Sequence, residues 1–249
     1  MSKALEVSGL KKSFGGVAAV RGIDFHADAG EAVALIGSNG AGKTTCFNLI
    51  NGQLTPDGGR VSLFGLDITG RSPELLFRSG VARTFQITAT FASMSVRENV
   101  QMALMSRHRE VAGFFSLATS RHTVAANELL ADVGLSEQAS RPCAALAYGD
   151  LKRLELAVAL ANEPRLLLMD EPTAGMSPEE RNALMRLALR VCRERKLALL
   201  FTEHDMDVVF THADRIIVMN RGRLIAQGSP SEVRANEEVR AVYLGSLHV

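Results

Sequence analysis

The chain has 249 residues, with 28 basic against 27 acidic side chains, a net charge of +1, and 47% hydrophobic residues. That balance suits one large domain or two unequal lobes with a full core. It announces no nucleic acid and no anionic membrane surface as partner. Three cysteines, Cys46, Cys143 and Cys192, form no C-x-x-C pair and fit a reducing compartment rather than a disulfide scaffold. The N-terminus has no apolar signal core, and no run approaches the ~18 apolar residues of a membrane span. The chain is therefore expected not to cross a bilayer by itself, though it can dock on a membrane protein.

In chain order, ALEVSGLKKSF reads as β-rich pieces broken by glycine, and IDFHAD alternates as a half-buried strand does. EAVALIG is a short apolar run ending at Gly37. TTCFNLINGQ follows as a helix that stops at Gly52, with Cys46 packed against the core. The turn cluster PDGG sets off a strand, RVSLFG, and PELLFRSG reads as a short helix closed by Gly80. From about Ser95 to Leu160 the pattern is mostly helical, opening on a capping box of Ser95 and Glu98. GFFSL, Gly113 to Leu117, is an irregular apolar piece within it. Strands return at RLLLMD, LALLFTEH and RIIVMN, separated by helical SPEERNALMRLALRVCRER and DMDVVFTHA. That alternation implies a parallel sheet covered by helices, with the helical middle as an inserted lobe. The tail SEVRANEEVRAVYLG reads as short helices, either a cap on the core or a binding element.

The chemistry starts at GSNGAGKTT. The motif G-x-x-x-x-G-K-S/T runs from Gly37 to Thr44, after a strand and before a helix, which is the context a phosphate loop needs. Gly37, Gly40 and Gly42 let the backbone curl, and the helix N-terminus adds partial positive charge. Lys43 is expected to reach β- and γ-phosphates, Thr44 to ligate Mg²⁺, and Thr45 to support an α-phosphate contact. In RLLLMDE, Asp170 ends an apolar strand on the metal side, and Glu171 turns elsewhere, toward an attacking water, as general base. His204, in LFTEHDM, ends another strand on the ligand side. Gln86, in VARTFQ, likewise ends a strand and offers an amide oxygen to Mg²⁺ or water. A second anion-facing element, LAYGDLKRLELA, opens a helix far from the phosphate loop.

Gathered, these residues resemble the ATP-binding subunits of ABC transporters, over essentially the whole chain. The resemblance implies an α/β, P-loop NTPase fold: a parallel-sheet core, an N-terminal β region and an inserted helical lobe. It divides into 1–86 with 158–226 as the catalytic lobe, 87–157 as the helical lobe and 227–249 as a C-terminal cap. The phosphate loop is Gly37, Ser38, Asn39, Gly40, Ala41, Gly42, Lys43, Thr44 and Thr45, and Gln86 matches the Q-loop. The D-loop is Ala174, Gly175, Met176 and Ser177; His204 matches the switch histidine. Phe14 sits where the family stacks an aromatic on adenine, the alternative being a core Phe at a strand end. LAYGD matches the signature motif, with Ala147, Tyr148, Gly149 and Asp150 reading the ATP of a facing subunit. The resemblance thus implies ATP and Mg²⁺ as ligands and a dimer of ATP-binding subunits, with a distinct homologue favoured over a second copy.

LAYGD departs from the commoner Leu-Ser-Gly-Gly-Gln. Ala147 brings no hydroxyl, Asp150 brings charge, and Leu151 stands where relatives often carry a polar residue. With ARTFQ and AVYLG, this variant is similar to branched-chain amino-acid importer ATPases, in particular the larger of their two ATP-binding subunits. The implied partners are two membrane permease subunits and, indirectly, an extracytoplasmic solute-binding protein, with no nucleic acid. The implied place is the cytoplasmic face of the cell membrane. Urea, short amides, other amino acids, or a lipid-extracting or export role remain open as cargo.

Overall fold

The alternation seen in IDFHAD is the end of a much longer element. In the computed structural model, which describes residues 3–84, 90–108 and 122–244, β1 (Lys3–Phe14) and β2 (Val17–Asp28) are paired antiparallel strands of 12 residues each. Gly9 does not break β1. It takes φ +56° where the register shifts between Val7 and Leu10, so a bulge absorbs it. β3 (Ala32–Gly37) leads through the phosphate loop to α1 (Lys43–Ile50). β4 (Gly58–Leu63), β5 (Leu66–Asp67), α2 (Pro73–Arg78) and β6 (Val81–Thr84) follow.

The helical middle contributes α3 (Val96–His108), α4 (Thr123–Asp132) and α5 (Tyr148–Leu160). The expected capping box opens α3: Ser95 N–H donates to Glu98 Oε2 at 2.7 Å and Glu98 N–H to Ser95 Oγ at 3.2 Å. Then come β7 (Leu166–Asp170), α6 (Pro178–Arg195), β8 (Ala198–Thr202), α7 (Met206–His212), β9 (Arg215–Asn220), β10 (Arg223–Gly228), α8 (Pro230–Ala235) and α9 (Glu237–Val239). Gln86, Gly113–Leu117 and Gly245 lie outside the described residues.

The strands form two sheets: an antiparallel one of order β2-β1-β4-β5 and a six-stranded one of order β10-β9-β3-β8-β7-β6. Neighbours from β9 to β6 are parallel, whereas β10 runs antiparallel to β9 as an edge strand. The sequence reading missed β10, because RLIAQG is half-exposed and carries no buried run. The six-stranded sheet separates two cores by period two. Ile36, Met169, Phe201 and Val218 point to one face, packed with α5, α6 and the helical middle. Leu35, Leu168, Leu200 and Met219 point to the other, packed with α1 and the antiparallel sheet. Among the described residues, helices alone cover one face, whereas α1 and the N-terminal sheet share the cover of the second.

The strand predicted to run to His204 ends earlier than expected. β8 stops at Thr202, so His204 stands in a loop rather than on the strand. That loop is closed by Asp205, whose side chain caps α7 by accepting from the N–H groups of Asp207 and Val208. Phe201, fully buried two residues before that loop, anchors it from below. Phe201→Ala should cost about 3–5 kcal/mol of stability, read from the denaturant midpoint; a change under ~1 kcal/mol would show that the core face of β8 collapses around the gap.

Candidate nucleotide site

The loop after β3 is shaped by close backbone packing. Gly40 and Gly42 have φ +76° and +105°. A Cβ on Gly42 would stand 2.4 Å from Ala19 O, and one on Gly37 would stand 2.4 Å from Met219 O. These positions thus exclude side chains by contact as well as by conformation. The β9–β10 turn braces the loop further: Gly222 N–H donates to Ala41 O at 2.9 Å, and Arg21 N–H donates to Gly222 O at 2.8 Å. Ala41 is buried in the core, so it contributes backbone only. Ser38, Asn39, Gly40 and Thr44 are exposed on the outer side. The N–H groups in the first turn of α1 have no partner within the helix and carry the positive end of its dipole.

Lys43 is only 8% exposed, and its ammonium donates to Gly37 O at 2.7 Å and Ser38 O at 3.2 Å. Burial holds its pKa below the usual lysine value, while the negative charges of Glu171 and Asp170 oppose that shift. A polyphosphate placed in the loop would favour the charged form in the same way. Cys46 is fully buried behind Lys43, and burial pushes its thiol up to about 12, which leaves it unreactive.

Asp170 and Glu171 meet β8 at one hydroxyl. Thr202 Oγ1 donates to Asp170 Oδ1 at 2.6 Å and accepts from Glu171 N–H at 3.1 Å. Asp170 Oδ2 accepts from Arg83 Nη2 at 2.8 Å, and Arg83 Nη1 donates to Asn48 Oδ1 on α1 at 2.8 Å. Asp170 is therefore held by β6 and β8 together. The two carboxylates do diverge, but for a different reason from strand alternation. β7 ends at Asp170, and Glu171 takes φ +49°, a left-handed conformation that swings its side chain out of the strand. Glu171 Oε1 then lies 2.7 Å from His204 Nε2. Asp170, Glu171, Lys43 and His204 thus converge on one end of the sheet.

The other predicted residues lie where the chain meets solvent. Phe14 ends β1, is 45% exposed and has the Lys12 ammonium 5.6 Å from its ring centre, so it is not a core residue. Tyr148 is also 45% exposed, at the first turn of α5 behind N-cap Ala147. Its hydroxyl donates to Ala174 O at 3.2 Å, and a Cβ on Gly149 would meet Glu180 Oε1 at 3.2 Å. The signature turn thus rests on the 174–177 segment of its own chain. Asp150 pairs with Arg153 at 3.7 Å, and Leu151 packs against the core. Gly175 has φ +78°, Met176 is buried, and Ser177 caps α6 in a capping box with Glu180.

Comparison with known proteins shows the family. A family model described as "ABC transporter" matches residues 20–174, and one described as "Branched-chain amino acid ATP-binding cassette transporter" matches residues 223–249. The chain belongs to the ABC transporter ATP-binding family. The ATP-binding cassette is 39% identical to the high-affinity branched-chain amino acid transport ATP-binding protein BraF of Pseudomonas aeruginosa, covering 97% of each chain. It is 39% identical to LivG of Escherichia coli, a protein of the same description, with the same coverage. Among solved structures, the ADP conformation of the cassette MJ1267 superposes with TM-score 0.87 at 28% identity, covering 99% of this chain and 100% of that one. The cassette cbiO1 from Clostridium perfringens gives TM-score 0.82 at 30% identity, covering 99% and 97%.

Reading the sequence missed Arg83, Thr202 and Glu203. Arg83 and Glu203 carried a signal. A lone charge in the short strand VART needs a partner, and so does a glutamate between a buried strand and His204. Glu203 is 3% exposed; burial pushes its carboxyl above the usual value, and the nearby charge of Glu171 adds to this against the opposing hydrogen bonds from Thr173 and His204 N–H. From the ordinary 4.5 up to that raised value, the unfolded chain has lost a proton that the folded cassette still holds, so stability falls as pH rises through the window. Glu203→Gln removes this titration. Its melting temperature should gain on the parent as pH is raised from 4.5; parallel pH profiles would refute the burial argument.

Proposed function

We propose that the cassette is the ATP-hydrolysing subunit of an importer for branched-chain amino acids, working at the cytoplasmic face of the membrane. The observation that carries the catalytic part is the 2.7 Å contact between Glu171 and His204 beside Asp170 and Lys43. The solute is supported by the end-to-end similarity to BraF and LivG and by the C-terminal match at 223–249.

In this reading Lys43 and the first-turn amides of α1 hold the β- and γ-phosphates, and Phe14 offers its exposed ring to the adenine. Thr44, Asp170 and Gln86 would hold Mg²⁺. The donor set fits a hard cation: all are oxygens, and each Asp170 oxygen keeps a lone pair beyond its bond to Thr202 or Arg83. When bound, the ion neutralises charge on the phosphate oxygens. Glu171 orients the attacking water and accepts its proton, while His204 holds that carboxylate and faces the γ-phosphate. Ala147, Tyr148, Gly149 and Asp150 present a helix N-terminus to the ATP of a second ATP-binding subunit. The 174–177 segment lies beside that face.

Two membrane permease subunits complete the assembly, with a solute-binding protein acting through them. A cavity of about 340 Å³ between α2, β6 and α5 supports the docking of a permease segment. Its lining is mostly apolar, including Leu76, Phe77, Val81 and Val158, and it sits beside the strand that leads to Gln86. No helix among the described residues is long and apolar enough to cross a membrane.

Glu171→Gln should still bind ATP and should lose at least ~100-fold in turnover, the range of a removed general base. In cells, uptake of labelled leucine should fall and uptake of labelled urea should not. A variant that hydrolyses ATP at the parental rate sinks the role given to Glu171. Loss of urea uptake with leucine uptake intact would keep the ATPase and replace the solute.

A further inference from the structure

Both neighbours of His204 are tied to the 173–176 turn. Glu203 Oε1 accepts from Thr173 N–H at 2.9 Å and from Thr173 Oγ1 at 2.7 Å, and Glu203 Oε2 accepts from the N–H of His204 at 3.3 Å. Thr173 is itself 1% exposed and opens the turn, with Met176 N–H donating to its carbonyl at 3.2 Å. On the far side of His204, Asp205 pairs with the guanidinium of Arg181, whose Nε donates to Met176 O at 2.8 Å. Two struts therefore join the histidine loop to one turn, one buried and one half-exposed. The same turn receives the Tyr148 hydroxyl at Ala174 O, so it also touches the signature segment.

A buried carboxylate is a poor choice for stability alone. Burial and the nearby Glu171 both oppose its charge, and an apolar side chain of similar size would pack at lower cost. What Glu203 supplies is position: a charged acceptor grips two donors of Thr173 more tightly than a neutral one would.

We propose that Glu203 is a positioning residue for hydrolysis, which locks His204 to the 173–176 turn and so sets the histidine against Glu171. The place of His204 then depends on whatever presses on that turn, including the signature segment and a facing subunit. This rests on the roles given above to Glu171 and His204.

The experiment is steady-state ATP hydrolysis by the full-length cassette, alone and with its co-expressed permease, for the parent, Glu203→Ala, Glu203→Gln and Thr173→Val. Glu203→Ala should lower kcat at least tenfold with KM for ATP within twofold, and Thr173→Val should lower it at least threefold. Glu203→Gln should keep a third or more of parental turnover, because its amide oxygen still accepts both Thr173 donors. Should Glu203→Ala fail to fold, the other two variants decide, with a loss in Thr173→Val and retention in Glu203→Gln supporting the proposal. The proposal is overturned if kcat stays within twofold of the parent in every folded variant, or if kcat and KM change together with the melting temperature. A parent that hydrolyses no ATP in either form would instead overturn the underlying reading of function.

Discussion

The site depends on the parallel register of β7 with β8, in which Asp170 stands opposite Thr202. That pairing places one threonine hydroxyl between Asp170 and the backbone of Glu171, so a single side chain fixes one carboxylate and the backbone that carries the next. A slip of one residue would turn Met169 and Phe201 out of their core and carry Asp170 to the wrong face of the sheet. Register here is held by burial on both faces, not by the polar groups at the strand tips. The core is therefore the part of the molecule that makes the chemistry reproducible.

The phosphate loop depends on the same principle from the other side. Its curvature requires glycine, but its place is set by contacts with Ala19 on β2, Met219 on β9 and the turn at Gly222. Arg83 then joins α1 to Asp170 through Asn48. Loop, metal-side carboxylate and helix are thus one bonded unit. Lys43 and the two acidic residues feel each other's charge within it, which is why burial alone does not set the lysine.

A left-handed glutamate, a histidine in a loop and a buried glutamate beside it form the half of the site that is held by loops and not by strands. Glu171 at φ +49° stores strain that a regular strand would not. His204 lies beyond the strand end and relies on its neighbours Glu203 and Asp205 for its place. These residues are connected to the 173–176 turn and through it to Tyr148. An arrangement of this kind can respond to a surface contact without disturbing the sheet.

Much was legible before any coordinates. GSNGAGKTT between an apolar run and a helix specifies its own structure, because glycine spacing, lysine and helix start are all local. LLLMDE, the capping box at Ser95 and the strand–helix alternation are local as well, and they carried the fold class, the ATP site and the family. What stayed hidden is what long-range pairing creates. RLIAQG became an edge strand only because β9 was there to pair with it. Gly9 reads as a break and is a bulge, since the partner strand supplies the register. Arg83 and Glu203 had a visible need for a partner, yet those partners, Asp170 and Thr173, lie 87 and 30 residues away, and Thr202 bonds Asp170 across 32. The sequence by itself determined which residues are candidates to bind and hydrolyse a nucleotide; the tertiary structure decided how they are held, because hydrogen-bond partners across strands are chosen by sheet order and register, which no local pattern encodes.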